Sequence, residues 1–97
     1  MTRAANTQRW HTTVVIADDH PLYRAALADA VRAAPSLDLV ELARDGNEAL
    51  AAVRRHVPDV ALLDMRMPQL DGQAVARRMR ELELSTRVLF ISEYHDG

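Results

Sequence analysis

Residues 59–72 read DVALLDMRMPQLDG, and two features of that stretch decide the fold. Val60 to Leu63 is an unbroken apolar run of strand length, the pattern of a β-strand covered on both faces. It stops at a carboxylate, Asp64, and a turn-rich loop follows from Met65 to Gly72, with Pro68 and the pair Asp71–Gly72 inside it. A strand buried on both faces belongs to a parallel sheet, and parallel strands need crossover helices between them.

The flanking sequence supplies such helices. Upstream, Asp45 followed three residues later by Glu48 has the spacing of a capping box. The helix it opens carries Leu50, Val53 and Val57 on one face, and Pro58 marks its end. Downstream, a helix is predicted from about Gln73 to Leu82, with Val75, Met79 and Leu82 inward, and Arg87 to Ser92 (RVLFIS) reads as a further strand. Leu37 to Ala43 (LDLVELA) is a partly alternating strand. Before it, Pro21 occupies a first helical position, with Asp19 or His20 as the cap. Tyr23, Leu27, Ala30, Val31 and Ala34 recur at helical spacing as that helix's buried face, and Pro35–Ser36 ends it. Thr13 to Ala17 (TVVIA) is a β-branched strand ending abruptly at Asp18–Asp19. Residues 1–12 are expected to form a flexible arm, with Trp10 as its large apolar group, and residues 13–97 the domain.

Strand and helix thus alternate three times before a fourth strand, which predicts an α/β fold with an open parallel sheet. In such sheets ligands bind beyond the carboxyl ends of the strands, where the strand order reverses. With a flavodoxin-like order of 2-1-3-4, the first and third strands are neighbours at that point. Asp18, Asp19 and Asp64 then converge on one site, and Ser92 ends the fourth strand beside it. An aspartate next to a turn is commonly only a cap, which suffices for Asp45 and Asp71. Three acids at the ends of two apolar strands ask for more. They repel one another unless a cation enters, and all-oxygen donors suit a hard ion such as Mg²⁺. A carboxylate is also a known covalent acceptor of phosphate.

Composition narrows the function classes. The 97 residues hold no cysteine, which excludes disulfides and Cys-based zinc sites. Twelve basic against fourteen acidic side chains make a poor footprint for a nucleic-acid binder. No apolar run is long enough to span a bilayer, and a cytoplasmic location is expected. Arg77, Arg78 and Arg80 read as a solvated helix face, and the four histidines show no metal-ligand spacing.

VVIADDHPLYR, DVALLDMRMPQLDG and RVLFIS together resemble the receiver domain of bacterial two-component response regulators, the first segment looking most like the NarL/FixJ subfamily. The likeness covers Thr13 to about Ser92, and its most specific part is Asp64 followed by Met67–Pro68 and Asp71–Gly72. The resemblance implies a signalling domain, not a metabolic enzyme, in which Asp64 takes a phosphoryl group from a phosphohistidine on a sensor histidine kinase. It implies Mg²⁺ bound by Asp19, by Asp18 directly or through water, by Asp64 and by the backbone carbonyl of Arg66. It further implies phosphoryl contacts from the Ser92 hydroxyl and the backbone N–H groups of Met65 and Glu93, with Pro68 and Gly72 shaping the loop. The exposed part of Tyr23 to Arg32 is a kinase-docking surface by the same resemblance.

The family has five strand–helix units and an essential lysine at the end of the fifth strand. These residues stop after the fourth strand and contain no lysine, so a C-terminally incomplete receiver is expected, with DNA reached only through an output domain not present here. Glu93 stands where the family usually has a small residue, and either hinders phosphate entry or points to solvent. An apolar fourth strand at a sheet edge invites pairing with another copy. The alternative reading is a pseudo-receiver that only binds partners. A haloacid-dehalogenase-like phosphatase also uses a strand-ending aspartate, but it wants its acids two apart, and position 20 is His20.

Overall fold

The computed structural model describes residues 11–91. Strands β1 (Thr12–Ala17), β2 (Leu37–Ala43), β3 (Val60–Asp64) and β4 (Arg87–Ile91) alternate with helices α1 (Pro21–Ala33), α2 (Gly46–His56) and α3 (Gly72–Glu81). The strands form one parallel sheet in the order β2-β1-β3-β4. The expected fold class and strand order are both found. Trp10, Ser92 and Glu93 lie outside the described residues, as does most of the expected arm. No helix among the described residues is long and apolar enough to cross a membrane.

Period-two alternation along β1 divides the core between the two faces of the sheet. Val14 and Ile16 join Val31 of α1 on one side, flanked by Leu27, Leu37, Leu39, Leu42 and Leu62. Val15 and Ala17 face the other side, with Ala49, Ala52 and Val53 of α2 and Val75 and Met79 of α3. Small residues dominate this second layer, which lets α2 and α3 lie close against the sheet. A β-bulge explains why LDLVELA alternates only in part. The register slips between Val14 and Val15, which pair with Leu39 and Glu41, so that Val40 is the extra residue. Leu37, Leu39 and Leu42 can then share the α1 side while Val40 and Ala43 serve the other.

The helices begin and end for identifiable reasons. Asp45 caps α2 by accepting from the Glu48 N–H at 2.8 Å. Glu48 returns its carboxylate to the N–H of Arg44, one residue before the cap, rather than to Asp45 itself. Pro21 starts α1 behind His20, which gives no side-chain cap. The reciprocal bonds between Thr13 and Asp59 (2.8–3.1 Å) tie the start of β3 to β1, and Thr86 is fastened to the Pro58 carbonyl at 2.6 Å.

Three predicted faces are corrected. In α1 the buried positions are Ala28 and Val31, whereas Tyr23 is 41% exposed and Ala30 is exposed. Arg24, the next residue, donates its guanidinium N–H to the Asp18 carbonyl at 2.9 Å, and Tyr23 packs edge-on against His20. Val57 does not belong to the buried face of α2, since it is the C-cap, left-handed and about half exposed. Leu82 caps α3 and is partly exposed, its place inside taken by Ala76. At the far edge, β4 pairs only with β3 among the described strands, and it leaves Leu89 and Phe90 about half exposed on its two faces.

Val57 has φ 40° and ψ 61°, a conformation that crowds a β-branched side chain against its own backbone. Asn tolerates this region and helix C-termini favour such residues. Val57→Asn is therefore expected to raise the unfolding free energy by about 1 kcal/mol, read from a urea midpoint. An unchanged or lower midpoint would show that the turn carries no strain.

Candidate functional site

The site follows from the register of the two central strands. Ile16 lies opposite Leu62 and Ala17 opposite Leu63, so β1 and β3 reach their carboxyl ends at the same level. The next residues along each chain are Asp18 and Asp64, and both are buried, 1% and 4% exposed. Asp19 is exposed beside them. Each of the three can place a carboxylate oxygen within 4.8 Å of the others. This is the strand-order switch point, where a parallel sheet opens a crevice for ligands.

Local bonds hold the carboxylates in place. Asp18 Oδ1 accepts from the His20 N–H at 2.9 Å, while the Asp18 N–H donates to the Ala43 carbonyl. Asp64 Oδ1 accepts from the Arg66 N–H at 3.1 Å. The Met65 N–H is donated to the Ile91 carbonyl at 3.2 Å, which extends the β3–β4 ladder by one residue. The N–H that meets the Asp64 carboxylate belongs to Arg66. Arg66 and Pro68 are exposed. Gly72 is buried with its Cα against Asp64, where an added Cβ would collide with the Asp64 carbonyl. Ser92 and Glu93 fall outside the described residues.

Sequence reading did not single out Arg24, Gly46 or the pair Asn47 and Gln69. Arg24 braces the Asp18 backbone from a helical turn away. Gly46 touches the far end of the loop after β3: a Cβ there would strike the Leu70 carbonyl, with the Leu70 Cβ only 2.6 Å away. Asn47 Nδ2 donates to Gln69 Oε1 at 2.6 Å across the same contact. The signal for Gly46 was its place directly after a helix cap, where glycine is unusual without a steric reason. The other contacts join residues remote in sequence and leave no local trace.

Comparison with known proteins gives a consistent picture. Residues 14–97 match the family model described as the response regulator receiver domain. The probable transcriptional regulatory protein NarL of Mycobacterium tuberculosis is 46% identical over 92 residues, 95% of this chain and 43% of that protein. A protein-glutamate methylesterase/protein-glutamine glutaminase of Nitratidesulfovibrio vulgaris is 39% identical over 80 residues, 82% of this chain and 22% of that protein. The solved receiver domain of the putative response regulator NarL from M. tuberculosis superposes with a TM-score of 0.84 at 46% identity, covering 90% of this chain and 70% of that one. The chain spans less than half the length of these two full-length relatives.

Burial pushes the Asp64 carboxyl above the usual aspartate range, and the charges of Asp18 and Asp19 add to the rise, while the Arg66 N–H opposes it. A raised folded-state value means that the native state favours the protonated form. The resulting stability is full below the ordinary aspartate range and is lost as pH rises through the raised value. Asn in place of Asp64 imitates the protonated carboxyl at every pH. With EDTA present, Asp64→Asn should be more stable than wild type at pH 7, by on the order of 1 kcal/mol. The gap should close as pH falls toward the aspartate range, in denaturation curves taken at several pH values. A gap that does not vary with pH would rule out the ionisation of Asp64 as its source.

Proposed function

The chain belongs to the response regulator receiver family, and from that membership we propose that it takes a phosphoryl group from the phosphohistidine of a sensor histidine kinase onto Asp64. The observation that carries this reading is the buried strand-end carboxylate of Asp64, gathered with Asp18 and Asp19 within 4.8 Å at the switch point of the sheet. In the transfer, a carboxylate oxygen of Asp64 bonds to phosphorus as the phosphorus–nitrogen bond of the donor breaks. The products are an aspartyl phosphate and a free imidazole. The Arg66 N–H, bonded to Oδ1, fixes the plane of the carboxylate for that approach.

The residues fit the Mg²⁺ that the family implies. Three carboxylates offer hard oxygen donors, and a cation would offset both the burial and the mutual repulsion that push the Asp64 carboxyl up. Asp18, Asp19, Asp64 and the Arg66 carbonyl would hold it. When bound, the ion offsets the repulsion between the carboxylate and an incoming phosphoryl group. Ser92 and the backbone N–H groups of Met65 and Glu93 would receive the phosphoryl oxygens. For Met65 this means giving up the Ile91 carbonyl, a change at the carboxyl end of β4. Pro68 and Gly72 would set the shape of the loop between these groups.

Phosphoryl transfer and hydrolysis would both be self-catalysed by the domain. It would work in the cytoplasm, where a histidine kinase presents its phosphohistidine, with the exposed part of Tyr23 to Arg32 as the docking face. The NarL relative is named a transcriptional regulator, which supports a DNA-binding output reached through further chain. The half-exposed Leu89 and Phe90 on β4 support pairing of two copies along that edge, and a strictly monomeric profile in light scattering at high concentration would count against it. The pseudo-receiver alternative draws no support from the site, whose acidic trio is complete.

Intact-mass measurement tests the central reading. Incubation with acetyl phosphate and Mg²⁺ should add one phosphoryl group to the chain, and none to Asp64→Asn or to a sample with excess EDTA. A folded wild-type chain that stays unlabelled, or labelling that survives Asp64→Asn, would overturn it.

A further inference from the structure

The loop from Met65 to Asp71 is held at both ends. At its base, the Gly72 N–H returns to the Met65 carbonyl at 3.3 Å, and Gly72 itself abuts Asp64. At its tip, the Leu70 carbonyl sits on Gly46, the first residue of α2, so closely that no side chain fits between them. Just before that contact the Leu70 N–H donates to the Pro68 carbonyl at 2.7 Å, closing a three-residue turn centred on Gln69. Gln69 has φ 71°, so this is the rare γ-turn of positive φ, a strained form for any residue but glycine. The side chain at the strained position is the one bonded to Asn47, at 2.6 Å.

A strained turn persists only where its surroundings hold it. From this geometry we infer that Asn47 and Gln69 are positioning residues for the Mg²⁺ and phosphoryl site, although neither belongs to it. The inference rests on the reading of the acidic site given above. Their bridge holds the tip of the loop in one conformation, and the intervening chain has little slack to absorb a change. Pro68 has a fixed φ, and Met67 is restricted by the proline after it and buried at 8% exposure in the core. A shift at Gln69 is therefore passed to Arg66, the residue whose N–H orients Asp64 and whose carbonyl would bind the ion. The bridge itself is exposed, so it adds little to global stability, and its loss should appear in metal affinity.

The test is a calorimetric Mg²⁺ titration of the wild-type chain, Asn47→Ala, Gln69→Gly, the double variant and Asp19→Ala, each with a melting curve. Gln69→Gly keeps the turn accessible while removing the amide. Either single variant should weaken Mg²⁺ binding about tenfold, the lower end for residues that support metal ligands from behind. The double variant should be no weaker than the singles, because both changes break one contact. The melting temperature of Asn47→Ala should stay at the wild-type value, and that of Gln69→Gly, which relieves the strained turn, should not fall below it. If Asp19→Ala loses the ion while Asn47→Ala and Gln69→Gly bind it like wild type, the positioning role is overturned and the acidic site stands. If the wild-type chain binds no Mg²⁺, or Asp19→Ala binds it equally well, the site reading fails and takes this inference with it.

Discussion

The pairing of β1 with β3 is the constraint on which the rest of the structure depends. Those two strands run parallel at the centre of the sheet with Ala17 opposite Leu63, so their chains leave the sheet together. A slip of one residue in that register would turn each apolar side chain to the other face and part the two aspartates that follow. Hydrophobic burial on both faces prevents the slip: Val14 and Ile16 are bound to the α1 layer, Val15 and Ala17 to the layer under α2 and α3. The same apolar contacts that specify the fold thus set the separation of Asp18 and Asp64. The chemistry of the site is a consequence of core packing.

That arrangement has a cost, which falls on Asp64. Two buried carboxylates and an exposed third share a small volume, and the raised ionisation of Asp64 records both burial and repulsion. The protein contributes N–H groups from His20 and Arg66, along with the bracing of the Asp18 backbone by Arg24. These bonds orient the carboxylates without neutralising them. Carboxylates so arranged offer hard oxygen donors of the kind a divalent ion takes. Local destabilisation of this kind is common where a fold carries function.

Much of this was legible in the residue order because the relevant signals are local. TVVIADD and VALLD announce strands that end in acids, Pro21, Asp45 and Asp71 announce helix starts, and alternation predicts a parallel sheet. From there the 2-1-3-4 order was enough to bring the three acids together. What escaped is what depends on contact between distant segments. Periodicity alone puts Tyr23, Leu27, Ala30, Val31 and Ala34 on the buried stripe of α1; Val31 is buried and Leu27 and Ala34 half-buried, but Tyr23 and Ala30 are exposed. Val57 fits the apolar face of α2 by spacing, yet the helix has already ended there in a left-handed turn. The role of Gly46 becomes visible only when the Leu70 carbonyl is seen against it.

The Met65–Ile91 hydrogen bond joins the acidic site to β4. Among the described residues it is the last rung between β3 and β4, one residue beyond Asp64. Its donor is the group that the phosphoryl oxygens would claim by family resemblance. One N–H cannot serve two acceptors at full strength, so the proposed transfer to Asp64 would compete with that rung. Among the described strands β4 lies at an edge, and its Leu89 and Phe90 are about half covered. β1, buried between two neighbours, would hold Asp18 fixed through the same event. Among the described strands, β1 and β3 form the central pair, and the acidic site stands at their carboxyl ends.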